Sequence, residues 1–266
     1  MAPSAPERPT RSTDPGTFFR REPTSVHSSP TPLTVAGLRL KWHEVLAPAR
    51  APRDATTPRP DRDEIAFGLW VLDDPDALLD DLTQEEFEKA DERMPYFGAL
   101  WPSAESLAPA IVAGPTLEGL RVLDLGCGLG LCGFAAAHRG AHVTFLDWEP
   151  RALEIVEASA LAQGLPLSTF DLITADWRKP PRLEPFDRIL GADVLYEERN
   201  AEPVAAFLAN HLKIGAEGWI SDPNRPHARR FPALAQQAGL EFLGAEILPA
   251  QAHHLDVSLI RVRRSA

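Results

Sequence analysis

From residue 121 onward, short apolar runs alternate with stretches whose apolar residues recur at helical spacing. "RVLDL", "HVTFLD", "FDRILGADV" and "GWISD" read as buried strands, and a further strand precedes Asp176. Between them, helices are predicted from about Gly130 to Arg139, stopped by Gly140, and from Pro150 to Gly164, with Leu153, Val156 and Ala160 on one face. "EPVAAFLANHL" and "ARRFPALAQQAG" supply two more helices, and "EFLGAEIL" with "HHLDVSLIRV" closes the chain as an antiparallel pair. Strict alternation of strand and helix implies an α/β fold with a largely parallel sheet covered on both faces. Upstream, "LTVAGLRLKWHEV" alternates as a strand and "IAFGLWVL" pairs with it across a proline-rich connection, giving a hairpin-like extension. In "LTQEEFEKADERM", Thr83 and Glu86 form a capping box flanked by Leu82 and Phe87 as a hydrophobic staple, so a helix starts at Thr83. A loop and another helix follow in "PYFGALWPSAESLAPAIV".

Residues 1–32 carry seven prolines and few large apolar side chains, too little to offset the entropy of ordering, and are expected to be a disordered tail. The organisation expected is therefore tail 1–32, hairpin and helix extension 33–94, and a catalytic-size domain 95–266. The 266 residues contain no run of eighteen apolar positions, so no membrane span is expected. A net charge of −11 argues against a phosphate-tracking protein, and nucleic acid is not expected as a partner. Ten of the acids crowd into residues 73–93, either as a solvated helix face or as a rim attracting a cationic substrate. The two cysteines, Cys127 and Cys132, have no metal or disulfide pattern and read as small packing residues in a reducing, cytoplasmic setting.

The chemistry concentrates in "VLDLGCGLGLCG", residues 122–133. A dinucleotide site wants glycine where this chain has Leu131, and no Walker loop is present. Asp124, at the strand end before Gly126, Gly128 and Gly130, would repel a pyrophosphate and attract an ammonium group. S-adenosylmethionine fits: its amino-acid end uses an acidic acceptor and helix-terminal N–H donors, and its ribose finds Asp147, 21 residues past Gly126. After the third strand, Trp177 is placed to flank adenine and Asp176 to meet its exocyclic amine. Taken singly, these residues also suit plain structural duties, Asp147 as a helix cap and Trp177 as core. Their common position at the carboxyl ends of successive strands favours a ligand site.

The motif Asp-x-Gly-x-Gly-x-Gly, here "DLGCGLG", resembles that of the class I, seven-β-strand S-adenosylmethionine-dependent methyltransferases, over about residues 95–262. The resemblance implies a Rossmann-like sheet of seven strands, mostly parallel with an antiparallel last strand. More narrowly, "PYFGALWPSAESLA", "LDWEP", "ADW" and "ADVLYE" resemble the family 16 protein-lysine methyltransferases, whose members include the electron-transfer flavoprotein β-subunit lysine methyltransferase. By that resemblance the cofactor contacts are Trp101, the turn Gly126, Cys127 and Gly128, the pair Asp147 and Trp148, then Trp177 and Ala192. The family's Asp-x-x-Tyr motif falls on Asp193 to Tyr196, which makes Asp193 and Tyr196 the candidate catalytic pair: Asp193 to bind and orient the incoming lysine, Tyr196 to wall its channel. The implied partner is a protein substrate, and no metal is implied. A small-molecule N-methyltransferase, a noncatalytic S-adenosylmethionine-binding module and an NAD(P)-linked oxidoreductase are the rivals, the last opposed by Leu131. Oligomeric state, the acceptor and the degree of methylation are not written in these motifs.

Overall fold

The computed structural model describes residues 31–48, 64–75, 78, 96–249 and 255–265. The expected tail up to residue 30, the capping box at Thr83 and Glu86, and most of the acidic stretch lie outside them.

Among the described residues, ten strands form two sheets. A three-stranded antiparallel sheet comprises β1 (Leu33–Val35), β2 (Leu38–Pro48) and β3 (Glu64–Leu72), in that order. The segment expected as one strand is thus two. Ala36 and Gly37 both take positive φ, 51° and 79°, and Leu33 pairs back onto Leu40, so the chain reverses through a two-residue turn whose twist matches its strands. The alternation of side chains continues through such a turn, which is why periodicity alone runs across it.

The main sheet contains β4 (Arg121–Leu125), β5 (His142–Asp147), β6 (Phe170–Thr174), β7 (Phe186–Ala192), β8 (Leu212–Asp222), β9 (Leu240–Leu248) and β10 (Val257–Arg264). Its order is β6-β5-β4-β7-β8-β10-β9, and β10 runs antiparallel to both neighbours while the pairs from β6 to β8 are parallel. This is the seven-stranded, mostly parallel arrangement with an antiparallel last strand. Successive strands leave the centre in opposite directions at β4 and β7, which opens a crevice at their carboxyl ends.

Among the described residues, five helices flank the sheet: α1 (Pro102–Ala113), α2 (Leu131–Ala137), α3 (Pro150–Ala162), α4 (Ala201–His211) and α5 (Phe231–Gln237). The last begins later than its sequence pattern because Pro226–Arg230 form a separate 3₁₀ turn ahead of it.

The period-two rule divides the core. Val122, Val143 and Phe145 pack with Leu107 and Ile111 of α1, Phe134 of α2 and Ile155 of α3 on one face. Leu123, Leu125 and Leu146 pack with Val204 and Leu208 of α4 and Phe231 of α5 on the other. The small sheet joins the first layer through Leu40, Phe67, Leu69 and Trp70. It is also tied there by a hydrogen bond, as the Trp70 backbone N–H donates to Ser159 Oγ of α3 at 2.9 Å. Asp124 shares the face of Val122, so its carboxylate is driven toward α2 rather than toward solvent.

Candidate functional site

A cavity lies at the carboxyl ends of β4, β5 and β7, with about 1070 Å³ free of protein atoms including its open mouth. Of the thirteen residues nominated by sequence, eleven line it: Trp101, Asp124, Gly126, Cys127, Gly128, Asp147, Trp148, Trp177, Ala192, Asp193 and Tyr196. Gly130 and Asp176 do not. Gly130 precedes α2 in a left-handed conformation and backs onto Phe134, Phe145 and Val156, so it shapes the turn from behind. Asp176 pairs with Arg178 at 2.8 Å and caps its own turn by accepting the Arg178 backbone N–H.

The glycine turn is held by the two buried carboxylates. Asp124, 2% exposed, accepts the Gly133 backbone N–H at 2.8 Å, anchoring the first turn of α2 to the end of β4. Asp147 accepts the Gly128 N–H at 2.9 Å and the Glu149 N–H at 3.0 Å, so it braces the turn from β5. The capping duty foreseen as an alternative for Asp147 belongs to Glu149, whose carboxylate accepts the Arg151 N–H at the start of α3. Burial pushes the Asp124 carboxyl up to about 8, with Asp147 adding a smaller increment against the Gly133 bond. Asp147 is raised to about 6, again chiefly by burial, with its backbone donors pulling the other way. Two carboxylates this disfavoured as anions form a site that gains when a cation or hydroxyl donors arrive.

Gly126 has φ 61°, and a Cβ there would stand 2.8 Å from the Trp177 ring. The missing side chain lets the indole lie over the turn as one wall of the cavity. Trp177 is 8% exposed and its indole N–H finds no acceptor among the described residues. The close helix-to-strand approach that a dinucleotide site assigns to the Leu131 position is made instead by Gly133, where a Cβ would fall 2.1 Å from the Phe145 ring. Leu131 is free to line the cavity. Cys127 and Cys132 also line it, and burial raises both thiols well above their usual range, which fits inert packing groups.

At the mouth stands an aromatic cluster. Tyr96, which the sequence reading passed over, lies edge-on to Trp101 with centroids 5.9 Å apart and against Tyr196 at 5.2 Å, while the Trp101 indole donates to the Tyr96 carbonyl at 2.7 Å. Tyr96 belongs to the short turn Tyr96–Gly98, too brief to carry a periodic signal. Asp193 occupies a left-handed backbone conformation, φ 58°, and is 6% exposed. It does not present a bare carboxylate: it forms an ion pair with Arg225, and its second oxygen accepts the Ser103 N–H at 3.3 Å. Arg225 lines the cavity as well and was invisible in the sequence, because it sits in a loop 32 residues away. Burial raises the Tyr196 hydroxyl to about 12.

These residues fit S-adenosylmethionine. Two buried acids whose carboxyls are raised by burial match an ammonium group and a ribose diol, and an indole wall whose N–H has no acceptor among the described residues matches a flat, acceptor-bearing base.

Comparison with known proteins agrees. Residues 122–218 match a family described as a methyltransferase domain. The chain is 30% identical over 138 residues to the ubiquinone biosynthesis O-methyltransferase of Xylella fastidiosa (strain M23), covering 52% of this chain and 54% of that one. It is 34% identical over 131 residues to the protein N-lysine methyltransferase METTL21A of Danio rerio, covering 47% and 59%. The chain therefore spans little more than half the length of these curated relatives. Among solved structures, the fold is similar to magnesium protoporphyrin IX methyltransferase (ChlM) from Synechocystis PCC 6803 with bound SAM. That likeness has a TM-score of 0.51 at 17% identity and covers 73% of this chain and 99% of that one. Residues 122–218 thus match a methyltransferase domain, set on a seven-stranded sheet whose cleft fits S-adenosylmethionine as cofactor, and in its motifs the chain resembles the family 16 protein-lysine methyltransferases.

Proposed function

We propose that the chain transfers a methyl group from S-adenosylmethionine to the side-chain amine of a lysine in a protein substrate. The observation that carries this reading is the make-up of the mouth, where Tyr96, Trp101 and Tyr196 surround an opening whose acidic member is Asp193. Ring faces beside a carboxylate suit an amine that arrives as a cation. Similarity to a protein N-lysine methyltransferase supports the same choice.

When bound, the cofactor supplies an electrophilic methyl carbon on a sulfonium. The chain's residues then divide the remaining work. Asp124 takes the ammonium end and Asp147 the ribose hydroxyls, Trp177 and Trp148 flank the base, and Ala192 leaves room at the end of β7. In-line transfer needs an uncharged nitrogen with its lone pair aligned, whereas a free lysine has a pKa of about 10.4 and must first lose a proton. Tyr196 is no base for that step. With its hydroxyl at about 12 it remains a phenol at neutral pH, able to accept an N–H and orient the amine but not to keep the proton. The proton leaves to water at the open mouth, and Asp193 orients the nitrogen from the other side.

The test is incubation of the purified chain with a cell lysate and tritiated cofactor, followed by mass spectrometry of the labelled bands. Labelled lysine in a protein is the expected result. Label confined to free amines would replace protein-lysine with small-molecule N-methylation, and label in phenolic lipids would favour the O-methylation of the ubiquinone relatives. No helix among the described residues is long and apolar enough to cross a membrane.

A further inference from the structure

The end of β8 and the loop after it, "SDPNRPHARR", follow the Asp193–Glu198 segment contact by contact at a constant offset of 32 positions. Arg225 pairs with Asp193, the His227 Nε2 meets the Leu195 carbonyl at 2.6 Å, and Arg230 pairs with Glu198. The second contact requires the His227 proton on Nε2. Only the first reaches the cavity, and it is the most elaborate. Arg225 Nη1 bridges Asp193 and, at 3.1 Å, Asp222, while the Arg225 backbone N–H donates to the other Asp222 oxygen at 2.7 Å. Both acids are buried, 6% and 1% exposed. Asp193 is further held by its own N–H donating to the Ser221 carbonyl at 3.0 Å and by the Ser103 N–H at 3.3 Å.

A residue in a left-handed conformation with three partners is held in place rather than left free to follow a ligand. With Asp193 and Asp222 ionised, the cluster carries one net negative charge instead of two. The other titratable groups around it are Asp124, Asp147, Cys127, Cys132, Tyr96 and Tyr196 across the cavity, with Glu197 and His227 behind.

We propose that Arg225 is a positioning residue that sets the charge of the acceptor entrance, holding Asp193 compensated so that the incoming amine meets an ion pair and not a bare carboxylate. This rests on the amine-acceptor reading above. A bare buried carboxylate would bind an ammonium tightly and keep it protonated, which is the unreactive form. A compensated one still accepts an N–H bond and lets the proton go. Arg225 thereby exchanges ground-state affinity for reactivity.

The test is a charge series on the full chain saturated with S-adenosylhomocysteine, titrated calorimetrically with Nα-acetyl-lysine amide at pH 7. Arg225→Gln should bind this probe on the order of five- to tenfold more tightly than the parent, and Asp222→Asn should bind it more weakly by a similar factor. Opposite signs from two neighbouring substitutions are not what a loosened fold produces, and unchanged S-adenosylhomocysteine affinity certifies each variant. With methylation of the same probe as readout, Arg225→Gln should lower both KM and kcat at pH 7 and move the pH profile alkaline. Equal or weaker probe binding by Arg225→Gln overturns the proposal, as does the absence of probe binding in all three proteins. If Arg225→Gln does not fold, Asp222→Asn decides, and binding equal to or tighter than the parent overturns it. Failure of lysate labelling would instead strike the protein-lysine reading and leave this series readable.

Discussion

Replacing Asp124 with Asn should stabilise the ligand-free protein while weakening its hold on the cofactor, and the size of the first effect follows from burial. The carboxyl is 2% exposed and its value is raised to about 8 from an ordinary 3.8, with desolvation the largest cause and Asp147 adding to it. Between those two values the folded chain binds more protons at this position than the unfolded chain does. Stability therefore falls as pH rises through the window, by about 1.4 kcal/mol per pH unit, and levels off above 8. Asparagine does not titrate, and its Oδ1 still accepts the Gly133 N–H. The advantage of the variant should grow by about 3 kcal/mol from pH 5 to pH 7, a Tm difference widening by roughly 5–10 °C for a chain of this size. Differential scanning calorimetry at pH 5, 6, 7 and 8 reads this directly. A difference that stays flat with pH, or a variant less stable at every pH, would refute the reasoning. The same carboxylate should make cofactor binding release protons. Wild-type affinity should drop as pH falls below 8, by about tenfold per unit, and calorimetry in two buffers of different ionisation enthalpy would expose the proton.

Three further outcomes follow. Asp147→Ala removes both the brace on Gly128 and the acceptor for the ribose hydroxyls, so S-adenosylhomocysteine affinity should fall by tenfold or more; an unchanged titration would show that the ribose lies elsewhere. Asp193→Ala should keep cofactor affinity within a few-fold yet lose methylation of the labelled acceptor, and full turnover by that variant would remove Asp193 from the mechanism. Gly133→Ala forces a methyl within 2.1 Å of the buried Phe145 ring and should cost about 1–3 kcal/mol, read as a lower midpoint in urea unfolding; an unshifted midpoint would show that α2 can move away from β5 without penalty.

What could be read from the chain was whatever physical rule acts over a few residues. The strand limits of "RVLDL" and "HVTFLD" coincide with β4 and β5 because period-two burial is local, and the order of strands and helices constrained the layers. The carboxylates Asp124 and Asp147 and the glycine turn were legible because strand ends and turns announce themselves at short range. A turn that preserves alternation, such as Ala36–Gly37, hides from the same rule, and "LTVAGLRLKWHEV" passed as one strand.

Tertiary structure decided what each polar residue does. Asp176 pairs with Arg178, two positions on, and Glu149 rather than Asp147 caps α3. The largest change is at Asp193. In sequence it is an acid of the Asp-x-x-Tyr motif; in the fold it meets Ser103, 90 positions before it, and Arg225, 32 after it. Pairings across such distances are set by how strands order in the sheet and how loops fold over its edge, and a linear pattern holds no record of them. Sequence by itself therefore determined the scaffold and the chemical class of the cleft, while the charge a ligand meets there was decided only when distant loops were brought together.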